Sequence, residues 1–238
     1  MKIIFSPAKT LHLNVEHNLE LKPLLYKDES IKLLNVLQKL TKPKIKNLFH
    51  LSDSLTQEVY DIYHHFNEQN QVYPAIQLYN GLAFRQLHMD VYTQKQMDYA
   101  EDHVRIISAL YGVLSPLTGI WPYRLDFTIN LGKINLKKYW TSKINDTFKD
   151  EDFIINIASE EFSSLITHPN LFTIHFFDEK NGQRKVNSAE AKKARGQTLE
   201  WCILHNVKDL NDLRNLQIKD YQCVAFEATQ SIYIRKLD

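Results

Sequence analysis

The sequence predicts a mixed α/β fold of the α+β kind: a mixed β-sheet surrounded by helices, with a helical element near the N-terminus. Three observations carry this. Short apolar segments rich in β-branched residues alternate with segments of helical period over much of the 238 residues. An Asn181-Gly182 pair between two extended segments marks a tight hairpin, so antiparallel pairing is mixed into the sheet. Residues 28–70 hold only helical patterns joined by very short connections. No internal repeat and no linker divides the chain, which reads as one domain over residues 1–238 with 28–70 inserted in it.

Each element has a local cause. Lys2–Phe5 is a short apolar run stopped by Ser6-Pro7, and an irregular stretch follows to about Lys27. Asp28 is the expected N-cap of a first helix, in which Ile31, Leu34, Leu37 and Leu40 recur at helical spacing. Thr41-Lys42-Pro43 ends it and opens a second, because proline suits a first turn. Ser52 caps a third. Past Pro74, residues 75–80 read as a strand and 81–89 as a short helix, and Thr93 caps the next helix. Residues 104–112 and 123–131 read as strands, 136–149 as a helix, and 152–159 as a buried strand before a helix capped by Ser159. Residues 171–188 form the hairpin, Ser188 caps the helix that follows, and 221–237 close the chain as a strand pair.

Composition excludes several classes. Lys plus Arg number 29 against 28 Asp plus Glu, so any phosphate site must come from local clustering rather than bulk charge. No apolar run approaches membrane length, and the start of the chain has no leader pattern. Cys202 and Cys223 make neither a CxxC pair nor a ligand set, which fits a reducing, cytoplasmic setting; a monomer is the expected state. No cofactor motif and no metal-ligand spacing occurs. The adjacent His64 and His65 point about 100° apart on a helix and do not share one ion easily.

Four stretches carry candidate chemistry. Ser6 and Lys9 follow the first strand, and ligands of open α/β sheets sit beyond strand carboxyl ends. The loop 110–127 is punctuated by Gly112, Pro116, Gly119 and Pro122 and ends in Tyr123-Arg124, an arginine beside aromatics, which suits anion or base recognition. Arg124 pairing with Asp126 is the plainer alternative. Lys180, Arg184, Lys185, Lys192, Lys193 and Arg195 are opposed between 180 and 196 only by Glu190. Lys192 and Arg195 share a helix face, in early turns where cations oppose the macrodipole, and Gly196 opens the helix surface beside them. Finally, Lys32, Lys39, Lys42, Lys44 and Lys46 surround a tight turn between two helices, with no acid from Ser30 to Ser52. A helix-hairpin-helix-like element of this kind offers amides and lysines to a phosphate chain, though its turn uses Pro43 where glycine is usual.

Taken in order, "SPAKT", "SALYGVLSPL", "PYRLDF", "NIASEEF", "FFDEKNG" and "AKKARG" make the chain resemble the YaaA peroxide-stress family over nearly its whole length. The resemblance implies a cytosolic bacterial protein that protects against hydrogen peroxide, with lowered free iron and less DNA damage. It implies an unusual mixed α/β fold with a basic cleft and a helix-hairpin-helix-like element that bind duplex, branched or bubble-containing DNA. The cleft maps to Ser6, Lys9, Arg124, Lys192, Lys193 and Arg195, the helical element to residues near 30–66. Ser115-Pro116 stands where the family pattern leads one to expect Arg-Pro, which removes a basic group near the loop and, with the net charge of +1, points to modest, salt-sensitive affinity.

Two functional expectations follow. In the first, the partner is DNA, bound without sequence preference but with a preference for structure. The contacts are Ser6, Lys9, Lys39, Lys42, Lys44, Lys46, Tyr123, Arg124, Lys180, Lys192, Lys193 and Arg195, with Tyr123 or Trp121 stacking on a base. This expectation leans away from an enzyme and assigns no catalytic residue, cofactor or metal. In the second, the same basic pocket is an enzyme site for a nucleotide-like or phosphorylated small molecule, and Lys9 and Glu160 are its candidate catalytic groups. A long open groove fits the first; a closed pocket fits the second.

Overall fold

In the computed structural model of this chain, residues 1–15 and 18–237 are described; Glu16, His17 and Asp238, and the part of the irregular stretch that includes the first two, lie outside. Lys2–Phe5 forms β1, whose Ile3 and Ile4 are fully buried. Three helices follow: α1 (Lys27–Leu37), α2 (Lys42–Phe49) and α3 (Asp53–His64). Asp28 sits inside the first turn of α1 rather than capping it. The N-cap position falls to Tyr26, with no side-chain cap, so an acid near the helix start contributes through the dipole instead. Ser52 does cap α3, accepting from the Leu55 amide. Thr41 precedes α2, with Pro43 in its first turn, and His50 ends it in the left-handed region at φ 50°.

Tyr73–Pro74 is a two-residue strand, β2, and Ala75–Leu78 is a short helix, α4, not the strand expected over 75–80. A short, fully buried apolar run fits either state, and the Pro74 corner settles it as helix. Two 3₁₀ turns, Phe84–Gln86 and Met89–Val91, stand where one short helix was expected. Thr93 and Gln96 close a reciprocal capping box on α5 (Gln94–His103). The expected strand 104–112 divides into β3 (Val104–Ser108) and a turn that feeds β4 (Gly112–Leu114); Gly119–Ile120 is β5. At Gly112, φ is +73°, and an added Cβ would lie 2.6 Å from the Trp140 ring, so both backbone and packing call for glycine.

Residues 123–131 are not a strand. Tyr123, Leu125, Phe127, Ile129 and Leu131 are buried, and the residues between them, except Asp126, are more open. The alternation that predicted a strand is thus present, but among the described residues no neighbouring strand pairs with it. Then come α6 (Leu136–Phe148), β6 (Ile154–Asn156), and the four-residue α7 (Glu160–Ser163). β7 (Leu171–Lys180) and β8 (Gln183–Lys185) form the expected hairpin, with Asn181 and Gly182 at φ 52° and 74°. Asn187, not Ser188, caps α8 (Ser188–His205), its side chain accepting from the Glu190 amide. β9 (Gln222–Phe226) and β10 (Gln230–Lys236) pair antiparallel.

Among the described residues, eight strands form one sheet in the order β4-β3-β1-β6-β7-β10-β9, with β8 on β7. The central five, β3, β1, β6, β7 and β10, are mutually parallel, and β4, β8 and β9 are antiparallel additions. β1, β3 and β6 are almost wholly buried, as parallel strands covered on both faces are, while β7 and β10 alternate buried and half-buried positions. The chain leaves β1 for β3 on one side and leaves β6 for β7 on the other. A crevice therefore opens beyond the carboxyl ends of β1 and β6. Among the described residues, no helix is long and apolar enough to cross a membrane.

Candidate functional site

The crevice is occupied by a cavity of about 300 Å³, lined at its polar positions by Ser6, Lys9, Arg124, Asp126, Ser159, Glu161, Lys192 and Arg195. Ser6 directly follows β1 and Ser159 precedes α7. The Ser159 amide donates to Ser6 Oγ at 2.8 Å, which ties the two strand ends together. The wall formed by residues 7–10 is fixed from the side: Asn80 N–H donates to the Thr10 carbonyl at 2.9 Å, and His12 N–H to the Leu78 carbonyl at 2.8 Å.

Arg124 is positioned by α3. The Tyr63 hydroxyl is fully buried, donates to the Arg124 carbonyl, and accepts the Arg124 amide at 3.3 Å. Beneath it, the Tyr123 hydroxyl lies 2.8 Å from Ser108 Oγ and 2.7 Å from the Tyr79 hydroxyl. Tyr123 is only 4% exposed and burial pushes its phenol up to about 12, so it stays neutral as part of the cavity's wall. Trp121 is likewise buried, its indole donating to the Asn70 carbonyl at 3.3 Å.

α8 delivers Lys192 and Arg195, and Gly196 explains how. A Cβ at Gly196 would lie 2.1 Å from the Ala83 carbonyl oxygen. The glycine therefore lets α8 press against the backbone of the Gly81–Phe84 wall, which brings Lys192 and Arg195, from the preceding turn, to the cavity. Arg195 is the unusual group. Its Nε is buried without a hydrogen-bond partner, and among the described residues no carboxylate lies within ion-pair distance. Burial pulls its pKa below the ordinary guanidinium value, against the opposing effect of Tyr221. Burial and the Arg195 charge likewise lower the pKa of His175.

The remaining expected residues go elsewhere. Lys193 pairs with Glu190 at 2.9 Å, and Glu190 also meets Arg235, which is bidentate to Asp178; this network braces the base of α8 against β10 outside the cavity. Lys180 is on the exposed hairpin. Lys39, Lys42, Lys44 and Lys46 are exposed around α1 and α2; Lys42 donates to Gln57 and Lys46 pairs with Asp53 at 2.6 Å. Ser115 lies near buried Glu101, whose carboxylate also takes Lys22 at 3.0 Å, and does not line the cavity. His64 stacks on Tyr60 at 3.7 Å, and among the described residues no three metal-ligating side chains gather.

Two acids enter that the sequence placed otherwise. Glu160 is exposed and outside the cavity, while Glu161, one residue and about 100° further round, faces in. Asp126 pairs with Lys9 at 2.6 Å, not with Arg124. Burial pushes Asp126 up, but hydrogen bonds from Lys9 and Thr128 outweigh it and hold the carboxyl below the usual range. Glu161 behaves oppositely: burial and then the Asp126 charge raise it. The hint available in the sequence was the adjacency of two glutamates at a helix start, one of which must turn inward.

The fold and cavity thus define an α/β protein with a cation-rich pocket at the switch point of a mostly parallel sheet. Comparison with known proteins places it more closely: a model of the family described as peroxide stress protein YaaA matches residues 1–226, and the chain belongs to that family. It is 33% identical over 231 residues to a UPF0246 protein of Lactiplantibacillus plantarum, covering 93% of each. It is 30% identical over 240 residues to a UPF0246 protein of Desulforapulum autotrophicum, with 93% of each covered, and 32% identical over 228 residues to one of Streptococcus pneumoniae, again covering 93% of each.

Proposed function

We propose that this peroxide stress protein works in the cytoplasm through its cavity, which binds and acts on a small phosphorylated, nucleotide-like molecule. The observation that carries the proposal is Arg195, a largely buried guanidinium with an unpaired Nε and no carboxylate partner among the described residues. A buried charge of this kind is costly unless an anion completes it. Lys192 and Arg124 line the same space, also without an ion-pair partner among the described residues. Lys9, Arg124, Lys192 and Arg195 face Asp126 and Glu161, a net charge of +2 with both acids ionised, which matches a phosphate monoester dianion. Phe5, Leu82, Phe84, Leu125 and Phe162 supply apolar wall for a flat ring, and the volume suits a small molecule rather than a duplex. Both cysteines are free, as suits a reducing compartment. Lowered free iron enters as the cellular outcome to follow in strains carrying cavity variants.

The test is thermal stabilisation and calorimetry with AMP, adenosine and inorganic phosphate. AMP binding that is lost in Lys192→Ala/Arg195→Ala, with no fall in melting temperature, supports the proposal; the absence of AMP binding contradicts it.

DNA binding is a second reading, favoured by the exposed lysines of α1 and α2. Lys39 and Lys44 have no ion-pair partner among the described residues, and helix-hairpin-helix-like contact to phosphates would use them with Lys42 and Lys46. Fluorescence anisotropy with duplex, bubble and four-way-junction DNA over a salt series tests it. Micromolar binding with a steep salt slope, weakened by Lys42→Ala/Lys44→Ala, supports this reading; no binding near physiological salt sinks it.

A further inference from the structure

The charges of the cavity fall into two groups. Asp126 and Glu161 enter from the loop after Tyr123 and from α7, while Lys192 and Arg195 enter from α8. A ligand whose phosphate meets Arg195 therefore presents another part of itself to the acids.

The two acids are held differently. Asp126 is saturated: Lys9 pairs with one oxygen, and the Thr128 amide and hydroxyl donate to the other. Glu161 Oε1 takes only the Phe127 amide, at 3.2 Å, and Oε2 has no hydrogen-bond partner among the described residues. Among the described residues, no cation pairs with it. Burial raises its proton affinity and Asp126, in the neighbouring loop, adds negative charge, while the Phe127 amide and then Lys9 and Lys137 act the other way. Paired carboxylates whose surroundings push them in opposite directions are the usual arrangement of one fixed anion and one proton carrier.

Resting on the reading of the cavity as a site for a phosphorylated, nucleotide-like molecule, we propose that Glu161 is its proton-transfer group, serving a heteroaromatic phosphate monoester. The Glu161 carboxyl O–H breaks and a bond forms between that hydrogen and a ring nitrogen or exocyclic heteroatom of the ligand. The carboxylate left behind keeps the Phe127 amide as donor and feels the positive charges of Lys9 and Lys137. Water restores the proton through the open side of the cavity, where the Lys9 side chain is 62% exposed. Asp126 keeps its charge throughout, because Lys9 and Thr128 hold it. Its role is to position Lys9 and to raise the proton affinity of Glu161.

The experiment is calorimetry of AMP binding from pH 5 to 8, in two buffers of different ionisation heat, with wild type, Glu161→Gln and Arg195→Ala. The phosphate itself titrates near about pH 6, so the comparison with Glu161→Gln isolates the carboxyl. Wild type is expected to take up more protons on binding than Glu161→Gln. Its affinity should fall by up to about tenfold per pH unit as Glu161 loses its proton, a fall that Glu161→Gln lacks. Carboxyl ¹³C resonances of wild type give a reading independent of any variant: AMP held by a hydrogen bond from the protonated carboxyl, the state before transfer, should raise the Glu161 titration midpoint. AMP binding with equal proton uptake in both proteins, or with an unmoved Glu161 midpoint, overturns the proposal while leaving the ligand reading intact. No AMP binding by wild type overturns both.

Discussion

The cavity and the lysine-bearing corner of α1 and α2 are both basic, and they differ in almost every other respect. At the corner the lysines are exposed, and Lys42 and Lys46 have found ordinary surface partners in Gln57 and Asp53. Such groups are interchangeable with solvent and contribute little to stability. In the cavity, Arg195 is largely buried with an unpaired Nε, and the backbone that holds it is pinned by Gly196 against Ala83. Local charge density in the sequence is similar at the two places; what separates them is desolvation. A desolvated, unpartnered cation implies a specific anion, and a solvated one implies at most a salt-sensitive contact.

The sharpest way to break this contrast is at its scaffold. Gly196→Ala places a Cβ against the Ala83 carbonyl and should cost on the order of 3 kcal/mol, lowering the melting temperature by about 10 °C. A loss below about 1 kcal/mol in urea unfolding would mean that α8 moves aside freely. Next, Arg195→Ala should weaken AMP binding by about 100-fold or more, the worth of two charge-assisted hydrogen bonds, without lowering stability. Lys39→Ala/Lys44→Ala should leave AMP binding unchanged; a comparable loss there would erase the distinction between the regions.

A smaller effect follows from Glu161. Its folded carboxyl is raised above the unfolded value, so between those two values the native state holds more protons and stability falls as pH rises. Glu161→Gln should therefore raise the melting temperature at pH 8, on the order of 2 °C, and change nothing at about pH 3, where the acid is protonated in both states. An equal effect at both pH values would point to packing instead. Smallest of all, Lys39→Ala/Lys44→Ala should stay within about 0.5 kcal/mol of wild type in stability. If DNA binds at that corner, the salt slope should drop by about 2, one for each phosphate contact removed.

The cations that line the cavity were visible in the sequence because each sits at a feature that short motifs reveal. Ser6 and Lys9 follow a strand end, Arg124 ends a punctuated loop, and Lys192 and Arg195 share a helix face beside a glycine. The acids were poorly visible. Glu160 and Glu161 differ only by helical phase, which depends on where a four-residue helix docks. Residues 123–131 show a general limit: alternating burial records which side faces the core, while a strand also needs a ladder partner, and pairing is decided by segments far away in the chain. The Lys193–Glu190–Arg235–Asp178 network was hidden for the same reason, since Asp178 and Arg235 meet only because β7 and β10 lie side by side.

The most direct measurement is isothermal calorimetry of AMP against wild type and Arg195→Ala at one pH and salt concentration, with melting temperatures recorded for both proteins. Micromolar binding by wild type, lost in a variant that melts no lower, is the predicted result. Absent binding by wild type, or binding that Arg195→Ala leaves unchanged, would contradict the claim that the buried guanidinium awaits a phosphate.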